Sequence, residues 1–216
     1  MAHALKKTGP TDRPAADDPT VAFYDADPQG YARDTLASDI SHLYPRFLQA
    51  VPSGGLILDA GCGAGRDVAE FVSRGYCVEA FDASSGLATL ASRHTGVDVE
   101  VARFEDVPPR PGRYDGIWCF ASLLHVARPD LPPVLSKLAA SLRPGAPLFA
   151  SFKRGGTDTV DVRGRRFTNF TIGSLRSMFE AVTKLSDVEV WEEDGPSALD
   201  GATRWLYVEA RRAAAD

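Results

Sequence analysis

The stretch from Leu56 to Val68 constrains this chain more than any other: Leu-Ile-Leu-Asp-Ala-Gly-Cys-Gly-Ala-Gly-Arg-Asp-Val. The apolar run Leu56 to Leu58 has the length and character of a buried parallel strand. Asp59 ends it, and glycines at 61, 63 and 65 lead into a helical pattern. Glycines spaced this way let the backbone take positive φ and let a ligand approach the main chain without meeting a Cβ. The loop therefore reads as a ligand cradle, with a plain glycine-rich turn as the alternative. The dinucleotide fingerprint would place its third glycine at position 66, where this chain has Arg66. Asp59 argues the same way, since a carboxylate at the strand end attracts an amino group and repels a pyrophosphate. A ligand with an ammonium and no phosphate fits better.

The following residues extend the pattern. Val68, Phe71 and Val72 form one apolar stripe, and Gly75 stops the helix. Tyr76 to Phe81 reads as a second strand that ends in Asp82. From Gly61 to Asp82 is 21 residues, the separation at which an acidic side chain on the second strand reaches a ribose held by the first loop. One carboxylate offers two acceptor oxygens to two adjacent hydroxyls. The competing role for Asp82 is to cap a helix starting near Ser84 and Ser85.

The run Asp59-x-Gly61-x-Gly63-x-Gly65 resembles motif I of the class I S-adenosylmethionine-dependent methyltransferases, small-molecule type, and the resemblance covers about Phe23 to Arg212. It implies S-adenosyl-L-methionine as cofactor, which has the ammonium and lacks phosphates. It further implies Asp82 on the ribose, Ala83 against the adenine, and Phe104 and Glu105 beside the adenine ring and its exocyclic amine. Asp106 is an alternative to Glu105, and an acidic pair in a first helical turn is the structural one. Tyr24 and Tyr31 would contact the methionine end, where their faces also favour a sulfonium; otherwise they pack the first helix. Where nucleobase amino methyltransferases carry Asn/Asp-Pro-Pro-aromatic, this chain has Cys119-Phe120-Ala121-Ser122-Leu123-Leu124-His125. That departure argues against adenine or cytosine amino methylation. It leaves His125 as the candidate catalytic or substrate-binding residue, with an ordinary pKa suited to proton removal near neutral pH.

Strand and helix signals alternate from Leu56 onward, which predicts an α/β fold, a parallel sheet with helices on both faces. Strands are expected at Val97 to Ala102, Tyr114 to Ala121, Pro147 to Phe152, Val188 to Glu193 and Arg204 to Ala210. Helices are expected at Arg33 to Gln49, broken or kinked at Pro45, at Asp130 to Leu142, and at Gly173 to Lys184. Gly195 to Gly201 is rich in turn formers and reads as a hairpin connection. The resemblance implies a Rossmann-like seven-stranded sheet of order 3-2-1-4-5-7-6 with strand 7 antiparallel. Residues 1–20 read as a disordered tail and 21–216 as a single methyltransferase domain, with 21–50 as an N-terminal cover and 153–170 as a substrate loop.

Composition excludes several classes. The 216 residues carry a net charge of −5, which argues against a nucleic-acid partner. No apolar run approaches the roughly 18 residues that would span a membrane, and the first 20 lack a secretory apolar core. Three cysteines without metal or redox spacing fit a reducing cytoplasm, and four scattered histidines show no metal site. Between Lys153 and Phe170, five cations face two carboxylates, so this loop either receives an anionic small-molecule acceptor or is simply solvated. The expected activity is methyl transfer to an O, N or S atom of a small molecule. The competitors are a non-catalytic S-adenosylmethionine-binding regulator, an RNA or protein methyltransferase, and a nucleotide-dependent oxidoreductase, which Arg66 disfavours.

Overall fold

The computed structural model describes residues 18–197 and 201–214. Its sheet grows outward from the strand read first in the sequence. β1 (Leu56–Ala60) pairs in parallel with β2 (Cys77–Asp82) on one side and with β4 (Gly116–Cys119) on the other. β3 (Val99–Val101) extends the β2 side. β5 (Pro147–Lys153) pairs with β4. A long antiparallel hairpin of β8 (Leu185–Ser197) and β9 (Gly201–Arg212) completes the sheet, with β9 antiparallel to β5. The order β3-β2-β1-β4-β5-β9-β8 is the expected one. Only the numbering differs, because a two-stranded hairpin of β6 (Thr159–Val160) and β7 (Arg166–Phe167), absent from the sequence reading, intervenes.

This connectivity positions the site. The chain moves from β1 out to β2 and β3, then returns to the other side of β1 as β4. The loops after β1 and β4 therefore diverge, and the crevice at a switch point of this kind, outside the carboxyl ends of the strands, is where open α/β sheets bind ligands.

Successive side chains on β2 separate two cores, as the two-residue period of a strand requires. Ala80 joins Val68, Ala88 and Ala91, whereas Phe81 belongs to the larger cluster on the other face. Val68 comes from α4 (Arg66–Ser73), and Ala88 and Ala91 from α5 (Ser85–Thr95). In the larger cluster the Trp118 ring is fully buried, stacked on Phe149 at 4.0 Å and met edge-on by Phe47 and Phe71. α6 (Leu131–Ser141), with prolines in its first turn, occupies the span expected for it, and α7 (Ile172–Glu180) is shorter than the sequence reading at its C-terminal end.

The N-terminal segment departs most from the sequence reading. Instead of one helix over Arg33 to Gln49 there are α1 (Pro19–Ala26), α2 (Pro28–Leu36), a 3-10 turn at Ser41–Leu43 and α3 (Tyr44–Leu48). Asp18 caps α1 by accepting from the Thr20 N–H at 2.8 Å, and Asp27 caps α2 by accepting from Gly30 at 2.8 Å. In both, proline follows the cap, the arrangement that fixes φ and needs no N–H. Pro45, likewise, sits in the first turn of a new helix rather than inside an old one. The expected tail lies outside the described residues up to position 17, while Asp18 to Thr20 already belong to α1 and its cap. Beyond the turn expected at Gly195 to Gly201, the strands themselves continue, with Ser197 paired to Gly201; residues 198–200 lie outside the described ones. Among the described residues no helix is long and apolar enough to cross a membrane.

α3 packs so closely on β4 that a Cβ added to Gly116 would lie 2.7 Å from Phe47 Cζ and 2.9 Å from Val51 Cγ2. Gly116→Ala is expected to destabilise the protein by about 1–3 kcal/mol through overpacking, read as a lower urea midpoint at unchanged m. An unchanged midpoint would mean that α3 yields freely.

Candidate active site

The loop after β1 is drawn against the end of β2, where the Gly61 and Cys62 N–H groups both donate to the Phe81 carbonyl at 2.9 and 3.1 Å. Gly63, at φ +57°, then turns its N–H to Asp82 Oδ2 at 2.8 Å. A Cβ at Gly63 would meet only Tyr31 Cε1 at 3.6 Å, so it would project into the cavity that this loop lines. At Gly61 and Gly65 the obstacle is protein instead. An added Cβ would lie 2.5 Å from Ser122 Cβ in the first case and 2.9 Å from Thr95 Cγ2 on α5 in the second.

Asp82 joins two loops. Its Oδ1 accepts from the Ser84 N–H at 2.9 Å while Oδ2 holds Gly63. The cap of α5 is Ser84, whose hydroxyl accepts from Leu87 N–H at 3.1 Å, so Asp82 does not serve as that cap. Burial pushes the Asp82 carboxyl up to about 6, against the lowering effect of its two backbone hydrogen bonds.

One cavity gathers Tyr24, Tyr31, Gly61, Gly63, Asp82, Ala83, Phe104, Glu105 and His125 on its wall. Phe104 meets Phe81 edge-on at 5.1 Å. The backbone beneath it is pinned by Lys137, whose ammonium donates to the carbonyls of Phe104, Glu105 and Val107 at 3.0, 2.7 and 3.2 Å. Two expected residues lie off that wall, as does Asp106. Asp59 is inside the sheet, in register with Ala80 and Trp118, because β1 runs on to Ala60. It is 2% exposed, and burial together with the neighbouring Asp67 raises its carboxyl well above the usual range. Gly65 faces α5, where its missing side chain permits helix packing.

Arg66 and Asp67 occupy the wall where Asp59 was expected. Asp67 is 6% exposed and accepts from Tyr44 Oη at 2.8 Å, Trp118 Nε1 at 2.8 Å and Arg66 Nε at 2.6 Å. Arg66 also lies 4.9 Å over the Phe120 ring. The pair was legible as charge in the first turn of a helix that starts at the glycine loop, although nothing local revealed its three-way satisfaction. Another unforeseen wall residue is Ala121, held at φ +51° with its N–H on Ser151 Oγ at 2.7 Å, a strained backbone of the kind that surrounding contacts must enforce.

His125 closes a short 3-10 turn after β4. Its Nδ1 lies 2.6 Å from the Arg166 carbonyl, and its Nε2 lies 2.9 Å from Tyr24 Oη. A carbonyl only accepts, so Nδ1 carries the proton and Nε2 accepts from the Tyr24 hydroxyl. Burial lowers the imidazole to about 4, helped by the nearby Arg165 and Lys153 charges. The ordinary pKa expected from sequence is thus corrected: the ring is neutral near pH 7, and its one basic nitrogen is already engaged. The helix α1 that carries Tyr24 is also fastened through Asp25, which accepts from Ser84 Oγ at 2.5 Å and Gly86 N–H at 3.0 Å. Asp18 adds a bond from Arg103 at 2.5 Å.

Residues 57–145, which hold the glycine loop, Asp82 and His125, match the family model described as a methyltransferase domain. Over those residues the chain is similar to the class I S-adenosylmethionine-dependent methyltransferase family. The cofactor of this family is S-adenosylmethionine. A ubiquinone biosynthesis O-methyltransferase of Xylella fastidiosa (strain 9a5c) is 33% identical over 105 residues, 46% of this chain and 42% of that protein. One from Paraburkholderia xenovorans is 32% identical over 105 residues, 46% and 44%. The match therefore spans less than half the length of these curated relatives. Among solved structures, Burkholderia thailandensis 1,6-didemethyltoxoflavin-N1-methyltransferase, with bound 1,6-didemethyltoxoflavin and S-adenosylhomocysteine, superposes at TM-score 0.70 with 22% identity, covering 98% of this chain and 99% of that one. Haemonchus contortus phosphoethanolamine N-methyltransferase 2 with S-adenosyl-L-methionine gives 0.68 at 14% identity, covering 88% and 57%. Such identities establish likeness of fold.

Two outcomes are expected. Gly63→Val should abolish S-adenosylhomocysteine binding in calorimetry while circular dichroism is retained, at a stability cost of about 1–2 kcal/mol for the left-handed φ; intact affinity would remove the loop from the binding wall. Protonation of Asp82 below pH 6 turns an acceptor oxygen into a donor, so affinity should weaken about tenfold from pH 7 to pH 5. Asp82→Asn should weaken binding by about 1.5–3 kcal/mol and flatten that dependence; a variant that keeps the slope would place the titration elsewhere.

Proposed function

We propose that this protein transfers the methyl group of S-adenosylmethionine to an O, N or S atom of a small-molecule acceptor, in the cytoplasm. The observation that carries the reading is the wall shared by Gly63 and Asp82: an open backbone position beside a carboxylate with two acceptor oxygens. Such a wall fits a nucleoside, and the Asp67 and Asp82 carboxylates on it fit a cationic ligand without phosphates. Asp82 would hold the ribose, Ala83 and Phe104 the adenine faces, Glu105 its amine, and Gly61 and Gly63 the approach of the methionine portion. Tyr31, half-buried between Tyr24 and the loop, would close the methionine end. Asp67 and Arg66 assume the role first given to Asp59, offering a carboxylate and a guanidinium toward an amino acid's two charges. The free state of Cys62, Cys77 and Cys119 supports a reducing compartment.

When bound, the cofactor supplies a methyl group already activated by a sulfonium. What remains for the protein is in-line alignment and exclusion of water. α1 and α2 do the excluding: Asp18, Tyr24 and Tyr31 line the cavity while Asp25 and Asp18 tie the helix to the loops after β2 and β3. His125 does the aligning on the acceptor side. A ring of pKa near 4 is too weak a base to hold a proton at pH 7, but as a fixed acceptor it orients the Tyr24 hydroxyl. The acceptor is small, in keeping with relatives that are a ubiquinone biosynthesis O-methyltransferase and a methyltransferase with bound 1,6-didemethyltoxoflavin, and it is anionic in keeping with the cations at the cavity's β5 end.

Calorimetry with S-adenosylmethionine, S-adenosylhomocysteine and NAD is the test. Dissociation constants on the order of micromolar are expected for the first two; binding of NAD alone would overturn the reading. His125→Ala should leave cofactor affinity nearly unchanged and depress methyl transfer, and the wild-type rate at saturating cofactor should show no ionisation near the ordinary imidazole pKa. Cofactor binding without turnover on any acceptor would favour a regulatory binding protein on the same fold.

A further inference from the structure

The charges on the cavity wall differ from one side to the other. On the side built by the loops after β1, β2 and β3 the cations are matched by carboxylates, Arg66 by Asp67 and Arg103 by Asp18, with Asp82 and Glu105 beside them, whereas Lys153 and Arg165 lie on the side built by β5 and the β6–β7 hairpin. Arg165 is 3% exposed. Asp161 fixes its guanidinium at 2.9 and 2.7 Å, and the rings of Phe23 and Phe167 stand 4.9 and 5.0 Å away. Lys153 Nζ stands 4.0 Å from the centre of the same Phe167 ring. A solvated basic loop has no reason to bury a guanidinium under α1, since taking a charge out of water costs several kcal/mol before its partners offset it.

An aromatic surface runs from this cationic corner toward the cofactor side. Trp205 is the cross-strand partner of Lys153, and its ring lies 5.9 Å from Phe120, which in turn lies under Arg66. Both rings line the cavity. The surface is apolar, its two rings are tilted by 32°, and two cations bound it at one end.

Resting on the methyltransferase reading, we propose that the methyl acceptor is a planar organic anion, its body along Phe120 and Trp205 and its acidic group on Lys153 and Arg165. Charge-assisted hydrogen bonds to a lysine or arginine fit a carboxylate or an ionised ring oxygen alike. The neutral His125 nearby agrees with this: burial first, and then the Arg165 and Lys153 charges, keep the imidazole unprotonated, and the same two cations favour an acceptor that arrives ionised and needs no base.

The experiment uses the full chain saturated with S-adenosylhomocysteine and two probes of one shape, benzoate and neutral benzamide, with binding read by ligand-observed NMR titration. Benzoate is expected to bind about 10–100-fold more tightly. Lys153→Met and Arg165→Met should each erase most of that preference at unchanged S-adenosylhomocysteine affinity. Lys153 is half-buried at the rim, so its variant decides the matter if Arg165→Met does not fold. Equal binding, no binding of either probe at millimolar concentration, or a preference that survives Lys153→Met would overturn the proposal. So would loss of S-adenosylhomocysteine affinity in either variant, which would assign the cation to the cofactor's own carboxylate. Failure of the wild type to bind S-adenosylhomocysteine would instead remove the methyltransferase reading first, before any probe is added.

Discussion

Asp67 accepts hydrogen bonds from Tyr44 on α3, Trp118 on β4 and Arg66 beside it on α4, so three parts of the chain converge on one buried carboxylate. A charge removed from water is tolerated only where its lone pairs are filled, and here each donor is itself held by something else. Trp118 is stacked on Phe149, Tyr44 packs against Phe71, and Arg66 lies over Phe120. The carboxylate thus fixes the start of α4 relative to the centre of the sheet. Because α4 begins at Gly65, the same contact sets where the glycine loop ends and how far it stands from β4.

The second carboxylate, Asp82, works on a softer part of the structure. It joins the loops after β1 and β2 through the N–H groups of Gly63 and Ser84, two residues that line the cavity. Its raised pKa follows from burial rather than from any missing partner.

On the acceptor side the balance of effects differs. Desolvation and two cations outweigh the bond that Nδ1–H donates to the Arg166 carbonyl and leave His125 neutral. Its value lies in geometry: Tyr24 comes from α1, and His125 fixes the direction of the phenol's proton. Chemistry of this kind relies on placement, in keeping with an electrophile that needs no further activation.

Much of this was written locally. The apolar triplet Leu56 to Leu58, the glycines, Asp82 at the next strand end and the alternation of strand and helix fixed the sheet and its binding edge, because strand period and positive-φ turns depend on near neighbours. Asp-Pro at 18–19 and 27–28 marked α1 and α2 as well, in segments too short for periodicity to show. Other features needed the folded chain. Asp59 lies inside the sheet because β1 extends one residue further, Gly65 serves packing against α5, and Asp67 gains its donors from residues 23 and 51 positions away. The Tyr24–His125 bond spans 101 positions, and the burial that neutralises the imidazole comes from a hairpin the sequence did not announce. Burial and long-range pairing are properties of the assembled chain, so the sequence alone determined which strand ends border the cavity, and the tertiary structure decided which side chains reach its wall and in what protonation state.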